Sequence, residues 1–332
     1  MVNKLARRYE RDGQIFDSIL FPAPGKYFDI GDRKLHIQKQ GNSGPPVILE
    51  AGIAASILSW RLVDHEIAKF ATVYSYDRAG LGWSPANDRP KVARDLVEEM
   101  RLAMQAAGVP CPRIVVGHSF GGMMMRMYAS MYPEEVSGVV LVDALPPEEW
   151  FPLDERRVML LRRAVILTRR GIWLARHGVV RFSLRALERG NRAIPKLFSF
   201  LSGGGSVGLT KRVTTQIQKF PAAIRGQIRA HCSRPSSFLT MAEYLTDLPA
   251  SCAQALMCPD LGDTPLIVLS AEHGQAGHQG RQAKLAKLST RGDFRVVADS
   301  THWLMLDAPE AIIEAVRELV DEERKKPKLD LE

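Results

Sequence analysis

Gly117-His118-Ser119-Phe120-Gly121 fits the pattern G-x-S-x-G, and it falls between an apolar strand-like run, residues 112–117, and a helix-like run, residues 120–131. A serine lifted on a sharp strand-to-helix turn presents its Oγ for nucleophilic attack, and the flanking glycines leave room for the tight backbone. The helix that opens at Phe120 would aim free N–H groups and the positive end of its dipole at a developing oxyanion. A hydroxyl nucleophile needs a base. Of the eight histidines, His302 is the best placed, because Val296-Val297-Ala298-Asp299-Ser300-Thr301-His302-Trp303 puts it just past the end of a strand and before the last helix. That edge of a sheet is where α/β sites form. His36 and His65 read as packed or surface positions, His118 lies inside the serine turn, and His177 and His231 fall in a later helical stretch. His273 and His278, also beyond a strand end, remain rivals for the base.

The elements that must position these groups alternate along the chain. Residues 26–31 and 33–40 read as a short antiparallel pair around Gly31-Asp32. Buried strands are expected at 46–50 and 71–76, further strands at 112–117, 136–142, 265–270 and 294–298, and helices at 57–69, 90–108, 120–131, 278–289 and 308–324. Residues 90–108 carry an apolar stripe of Val92, Leu96, Met100, Leu102 and Met104. Such alternation implies crossover connections and a mostly parallel sheet with helices on both faces. It stops at Pro146-Pro147 and resumes at Pro265, and the stretch between is helix-like, broken by Gly171, Gly178, Gly190, Pro195, Gly203-Gly204-Gly205, Pro221 and Pro235. The expected organisation is an N-terminal arm (1–25), an α/β core (26–147 and 263–324), an all-helical insertion (148–262) and a charged tail (325–332). Met123, Met124, Met125 and Met127 read as core packing.

With 332 residues, 45% hydrophobic and 25% charged, the composition excludes disordered and collagen-like chains. Four cysteines without a C-x-x-C pair read as free thiols, so a disulfide framework and structural zinc are not expected. No run approaches the roughly 18 to 20 apolar residues of a membrane span, and the first residues lack the apolar core of a secretory signal. A cytoplasmic location is therefore expected. The net charge of +8 is uneven. Residues 151–235 hold 18 Lys and Arg against three acids (Asp154, Glu155, Glu188), a surplus of 15, which leaves the rest of the chain at −7. Such asymmetry speaks to partners rather than to fold.

On the serine turn, His302 and this alternation, the chain resembles the serine hydrolases of the α/β-hydrolase superfamily that carry a helical cap, over residues 26–147 and 263–322. The Asp77-Arg78-Ala79-Gly80-Leu81-Gly82-Trp83-Ser84 loop is similar to the family's loop after its fourth strand, and Leu306-Asp307-Ala308-Pro309-Glu310 to the segment after its histidine. The resemblance implies an oxyanion hole from the Ile53 amide, after Gly52, and the Phe120 amide. Two departures stand out: Ala51 where a His often precedes that glycine, and Thr301 where a Gly often precedes the catalytic histidine. The family's usual position for the acid, after the strand at 265–270, falls on Gly274, which cannot hold an imidazole. Two substitutes keep the order Ser, acid, His: Asp143, matching family members whose acid ends the strand before the cap, and Glu272. Asp143 is the first choice, although a carboxylate there could instead cap a turn; Asp299 reads as a turn residue.

The implied chemistry is hydrolysis of a small-molecule ester through an acyl-enzyme, with no cofactor and no metal. Serine at 119 argues against the dehalogenases and epoxide hydrolases of this architecture, which attack with an Asp. An amidase or aminopeptidase would want a carboxylate near the substrate amine, for which Glu148 and Glu149 are available. A hydrolase-like ligand-binding protein is the alternative from another class. No glycine loop suited to a nucleotide phosphate is present.

The arginines of the insertion repeat every seven residues, as Arg156, Arg163, Arg170 and as Arg162, Arg169, Arg176, so both series share one broad helix face. The plain expectation is that the apolar residues between them pack on the core while the arginines are solvated. The sharper one is a basic amphipathic lid that meets an anionic membrane surface or steers an anionic substrate, which would make the protein peripheral to a membrane. Nucleic acid is not expected, since the interleaving residues are aliphatic and the rest of the chain is net negative.

Overall fold

Four strands, at residues 72–76, 113–118, 136–142 and 266–271, are buried along their whole length, and a strand with no solvent face must be covered by helices on both sides. The computed structural model, which describes residues 2–189 and 216–326, has that arrangement. In chain order its elements are α1 (Val2–Leu20), β1 (Lys26–Asp29), β2 (Lys34–Gln40), β3 (Pro46–Glu50), α2 (Asp64–Ile67), β4 (Thr72–Tyr76), α3 (Ala93–Ala106), β5 (Arg113–His118), α4 (Phe120–Met131) and β6 (Val136–Val142). There follow α5 (Glu155–Arg176), α6 (Val179–Glu188), α7 (Ala222–Cys232), α8 (Pro235–Leu256), β7 (Leu266–Ala271), α9 (His278–Ala286), β8 (Gly292–Val297), α10 (Leu304–Asp307) and α11 (Pro309–Lys325). The eight strands form one sheet in the order β1-β2-β4-β3-β5-β6-β7-β8. β2 runs antiparallel to both its neighbours, and every pair from β4 to β8 is parallel.

Alternation along the strands divides the core in two. Ile48, Val115, Val139 and Val268 point to the face covered by α3, α4 and α8. Val47, Leu49, Val116, Val140 and Leu269 point to the face covered by α11. Met123, Met124, Met125 and Met127 lie in the first of these layers, fully buried. Between β6 and β7 the described residues are helical; the expected breakers Gly190, Pro195 and Gly203-Gly204-Gly205, and the tail from 327, lie outside the described residues. No helix among the described residues is long and apolar enough to cross a membrane.

Four details differ from the sequence expectations. The helix expected at 57–69 is a 3-10 turn at Ile57–Trp60 followed by the single turn α2. Ile57, Leu58, Ser59 and Trp60 are all buried, and the turn is set by Ser56, whose hydroxyl accepts from Leu58 N–H, and by Ile57 N–H donating to Asp77 at 3.0 Å. Leu102 is not part of the buried stripe of α3: it is 44% exposed, and Val97 and Ala103 take its place. The apolar residues of α5 are not all packed on the core, since the helix buries only Leu161, Thr168, Gly171 and Ala175. Finally, the N-terminal arm is the 19-residue helix α1. Its Glu10 and Asp17 are buried against Arg181 of α6, with Glu10 Oε2 accepting from Arg181 Nε at 2.8 Å, and Asp17 also takes Arg229 of α7 at 3.3 Å. Removing one partner of such a buried set leaves an uncompensated charge, typically at a cost of about 3–5 kcal/mol.

Candidate active site

Ser119 sits between β5 and α4 with φ +54° and ψ −119°, a conformation that non-glycine residues rarely adopt and that the surrounding packing must impose. The glycines of the motif allow it by close approach. A Cβ on Gly117 would lie 2.4 Å from the Gly121 carbonyl oxygen, and a Cβ on Gly121 would lie 2.4 Å from that of Ala51. The turn is pinned by Ser119 N–H donating to the Val142 carbonyl (3.1 Å) and by Leu145 N–H donating to the Ser119 carbonyl (2.9 Å).

Three of the expected residues meet in one line. His302 Nε2 is 3.1 Å from Ser119 Oγ, and His302 Nδ1 is 2.6 Å from Asp143 Oδ2. All three lie past the carboxyl ends of parallel strands, Ser119 and Asp143 after the neighbours β5 and β6, and His302 after β8 on the far side of β7. Asp143 is itself in the left-handed region at φ +42°. It is held there by its N–H donating to Leu269 (2.7 Å) and by Ala271 N–H donating to its Oδ1 (2.9 Å). Glu272 is elsewhere: its Oε2 accepts from Asp299 N–H at 2.8 Å on the exposed surface, where Asp299 forms a turn at φ +53°.

Gly274, where the resemblance would place the acid, packs against His278 instead. A Cβ at Gly274 would fall 2.5 Å from the His278 ring, so the glycine makes room for that imidazole. His278 Nε2 lies 2.6 Å from Asp143 Oδ1, the oxygen that His302 does not use. Two histidines therefore share one carboxylate. Burial alone would raise the Asp143 carboxyl, but the hydrogen bonds from His278 and His302 hold it well below the usual carboxylate range. Its hydrogen bond to Asp143 raises His278 above the ordinary imidazole value, against the opposing effect of burial. His273, the other rival for the base, is exposed and only its backbone is tied down, to Ser300.

Sequence reasoning gave no role to His118 and none to Arg78 beyond its place in a loop. Burial, with the neighbouring His302, pushes His118 down to about 3, so its ring is neutral and its Nε2–H donates to the His302 carbonyl at 2.8 Å. Arg78, buried under the β3 turn, donates to the carbonyls of Gly52 and Ala51 and lies 3.4 Å from Glu50. Those contacts fix the turn that carries Ile53. Among the described residues, neither the Ile53 nor the Phe120 N–H is bonded to a protein acceptor. Thr301, at the position where glycine was expected, ties its N–H (2.8 Å) and its hydroxyl to Asp307, locking the His302 loop onto α10.

Two cavities open beside this line. One of about 200 Å³ is lined by Ile53, Leu58, Leu81, Phe220, Ile228 and Trp303 and is largely apolar. The other, about 680 Å³, is polar and passes Asp143, Glu149, His278, Arg281 and His302. Glu149 is engaged by Arg281 at 2.6 Å, which argues against its holding a substrate amine. Among the described residues, the exposed trio Glu272, His273 and Asp299 has ligand atoms within 4.8 Å of one another, away from Ser119 and without a buried or preformed cage.

Comparison with known proteins gives the setting. An uncharacterized protein of Bacillus subtilis (strain 168), YqjL, is 29% identical over 145 residues, 41% of this chain and 57% of that protein. The chain spans about half or less of the length of most curated relatives it matches. The epoxide hydrolase CorEH has the same fold with a TM-score of 0.66 at 19% identity, covering 90% of this chain and 99% of that one. An esterase from Thermogutta terrifontis gives 0.58 at 18% identity, covering 87% and 94%. At that identity the likeness is one of fold alone. The model of the alpha/beta hydrolase fold family matches residues 45–309, well over half of the chain, and the protein belongs to that family.

Proposed function

We propose that the protein is a serine hydrolase that cleaves carboxylic esters through an acyl-enzyme, with Ser119 as nucleophile, His302 as general base and Asp143 as the orienting acid. The observation that carries this reading is the hydrogen-bonded line from Asp143 through His302 to Ser119. In it Ser119 Oγ attacks the ester carbonyl and gives its proton to His302 Nε2. The oxyanion is met by the Ile53 and Phe120 amides at the positive end of α4. Collapse expels the alcohol, which takes the proton from His302; a water then repeats the sequence on the acyl group. Asp143 stays ionised throughout and stabilises the imidazolium.

The apolar cavity at Ile53 is smaller than the roughly 300–1,000 Å³ of sites for drug-sized ligands, which favours a short acyl group there. The test is a panel of p-nitrophenyl esters with purified protein, together with fluorophosphonate labelling. Turnover is expected for short acyl chains and should fall as the chain lengthens. Neither turnover nor labelling anywhere in the panel would reject the hydrolase and leave a ligand-binding protein.

The shared carboxylate adds a pH signature. In His278→Gln the Asp143 carboxyl loses one of the two imidazole hydrogen bonds that hold it low, so the stability that this carboxylate lends above the ordinary carboxylate range, and loses as pH falls, should shrink. The melting temperature of the variant should therefore drop at pH 7 and approach that of the parent in acid. An unchanged melting temperature at pH 7 would mean that His278 adds nothing to the Asp143 site.

A further inference from the structure

From Arg156 to Leu187 the chain has nine arginines and no Asp or Glu. Positions seven apart on a helix drift by only about 20°, so α5 carries its residues in rows. One row is Arg162, Arg169, Arg176 and another is Arg156, Arg163, Arg170. Between them on the helix surface runs a third row, Met159, Ile166, Trp173. The side of α5 turned to the protein is occupied by Leu161, Thr168, Gly171 and Ala175, with Phe238 of α8 so close that a Cβ on Gly171 would lie 2.4 Å from its ring. The apolar row therefore points away: Met159 is 53% exposed, Ile166 52% and Trp173 60%. Exposed Leu160 and Leu167 lie beyond one arginine row, and exposed Phe182 on α6. Among the described residues Arg156, Arg162, Arg163, Arg169 and Arg176 make no ion pair.

We infer that this face of α5 docks on a bilayer surface that contains anionic phospholipid. A solvated arginine face has no use for an apolar row at its centre, and a core-facing stripe would be buried. An exposed apolar row ending in Trp and bracketed by guanidinium groups fits a headgroup interface. The apolar side chains enter the acyl boundary, the indole sits at headgroup depth, and the arginines on either flank reach phosphates. A second copy of the chain is a poor occupant, because its own arginine rows would face these. This inference goes beyond the hydrolase reading and does not rest on it.

The test is co-sedimentation of the full chain with vesicles of phosphatidylcholine alone and of phosphatidylcholine mixed with phosphatidylserine. Binding is expected only to the mixed vesicles and should fall steeply as salt screens the surface, since the Debye length is about 8 Å at physiological ionic strength. Arg162→Glu with Arg163→Glu, one residue from each row, should weaken binding at least about tenfold, and Ile166→Ser should weaken it as well. A blue shift in tryptophan emission on vesicle addition should disappear in Trp173→Phe while sedimentation persists. Thermal melting confirms that these surface variants remain folded, and fluorophosphonate labelling follows the separate hydrolase question. The inference is overturned if the protein ignores mixed vesicles at low salt, or if the arginine variants bind like the parent. It is also overturned if Ile166→Ser binds unchanged, which would leave a salt-dependent contact without insertion. Equal retention by polyglutamate would point to an acidic protein partner and overturn it too.

Discussion

Ser119→Ala should abolish fluorophosphonate labelling and lower ester turnover by about 10⁴- to 10⁶-fold, because every later step depends on the acyl bond to that oxygen. The rest of the machinery would remain: the two amides, the His302 imidazole and the apolar cavity would still bind substrate, so KM should change little. The melting temperature should also stay close to that of the parent, since the serine hydroxyl contacts only His302 among the described side chains. Mass spectrometry of the labelled protein is the direct measurement. Undiminished labelling in Ser119→Ala would move the nucleophile off the β5–α4 turn.

Asp143→Asn is expected to lower kcat by about 10⁴-fold, the effect of losing the carboxylate that fixes the imidazole tautomer and stabilises its cation. Glu272→Gln should leave kcat within about twofold, as surface substitutions away from a site usually perturb little. The contrast follows from position. Asp143 is buried on the end of β6 and hydrogen-bonded to two imidazoles and two backbone groups, whereas Glu272 caps an exposed turn at Asp299. The reverse ranking, measured by steady-state kinetics on both variants, would transfer the acid to the loop after β7.

What was legible in the sequence was whatever is written in consecutive residues. The serine turn, the buried strands and the position of His302 depend on local pattern, and each lies within two residues of its expected place. Asp143 was legible as the end of an apolar strand, but its preference over Glu272 depended on which carboxylate the fold turns toward His302. His118, Arg78 and the tie from Thr301 to Asp307 act through contacts between segments, so no spacing announces them. His278 stood out as a histidine past a strand end, yet its partner is 135 positions away. The segment at 57–69 has helical composition, but its first turn is tied to Asp77, 20 positions away, through the Ile57 N–H, and that contact leaves no local signal. The arm expected at 1–25 is helical as α1, and its buried Glu10 and Asp17 meet Arg181 of α6 and Arg229 of α7, partners that no local pattern announces.

Those partners arrive late. Glu10 and Arg181 are 171 positions apart, so at synthesis rates of roughly 5–20 residues per second α1 leaves the ribosome about 10–35 s before the guanidinium it will bury. In that interval two carboxylates destined for the interior are solvated and must stay so. The sheet can assemble as far as β6 meanwhile, but α1 cannot close over α6 and α7 until both have been made. Docking of the first helix is thus a late event in the life of a nascent chain, and until it happens Glu10 and Asp17 stand open to water in a segment that a protease sampling growing chains can reach.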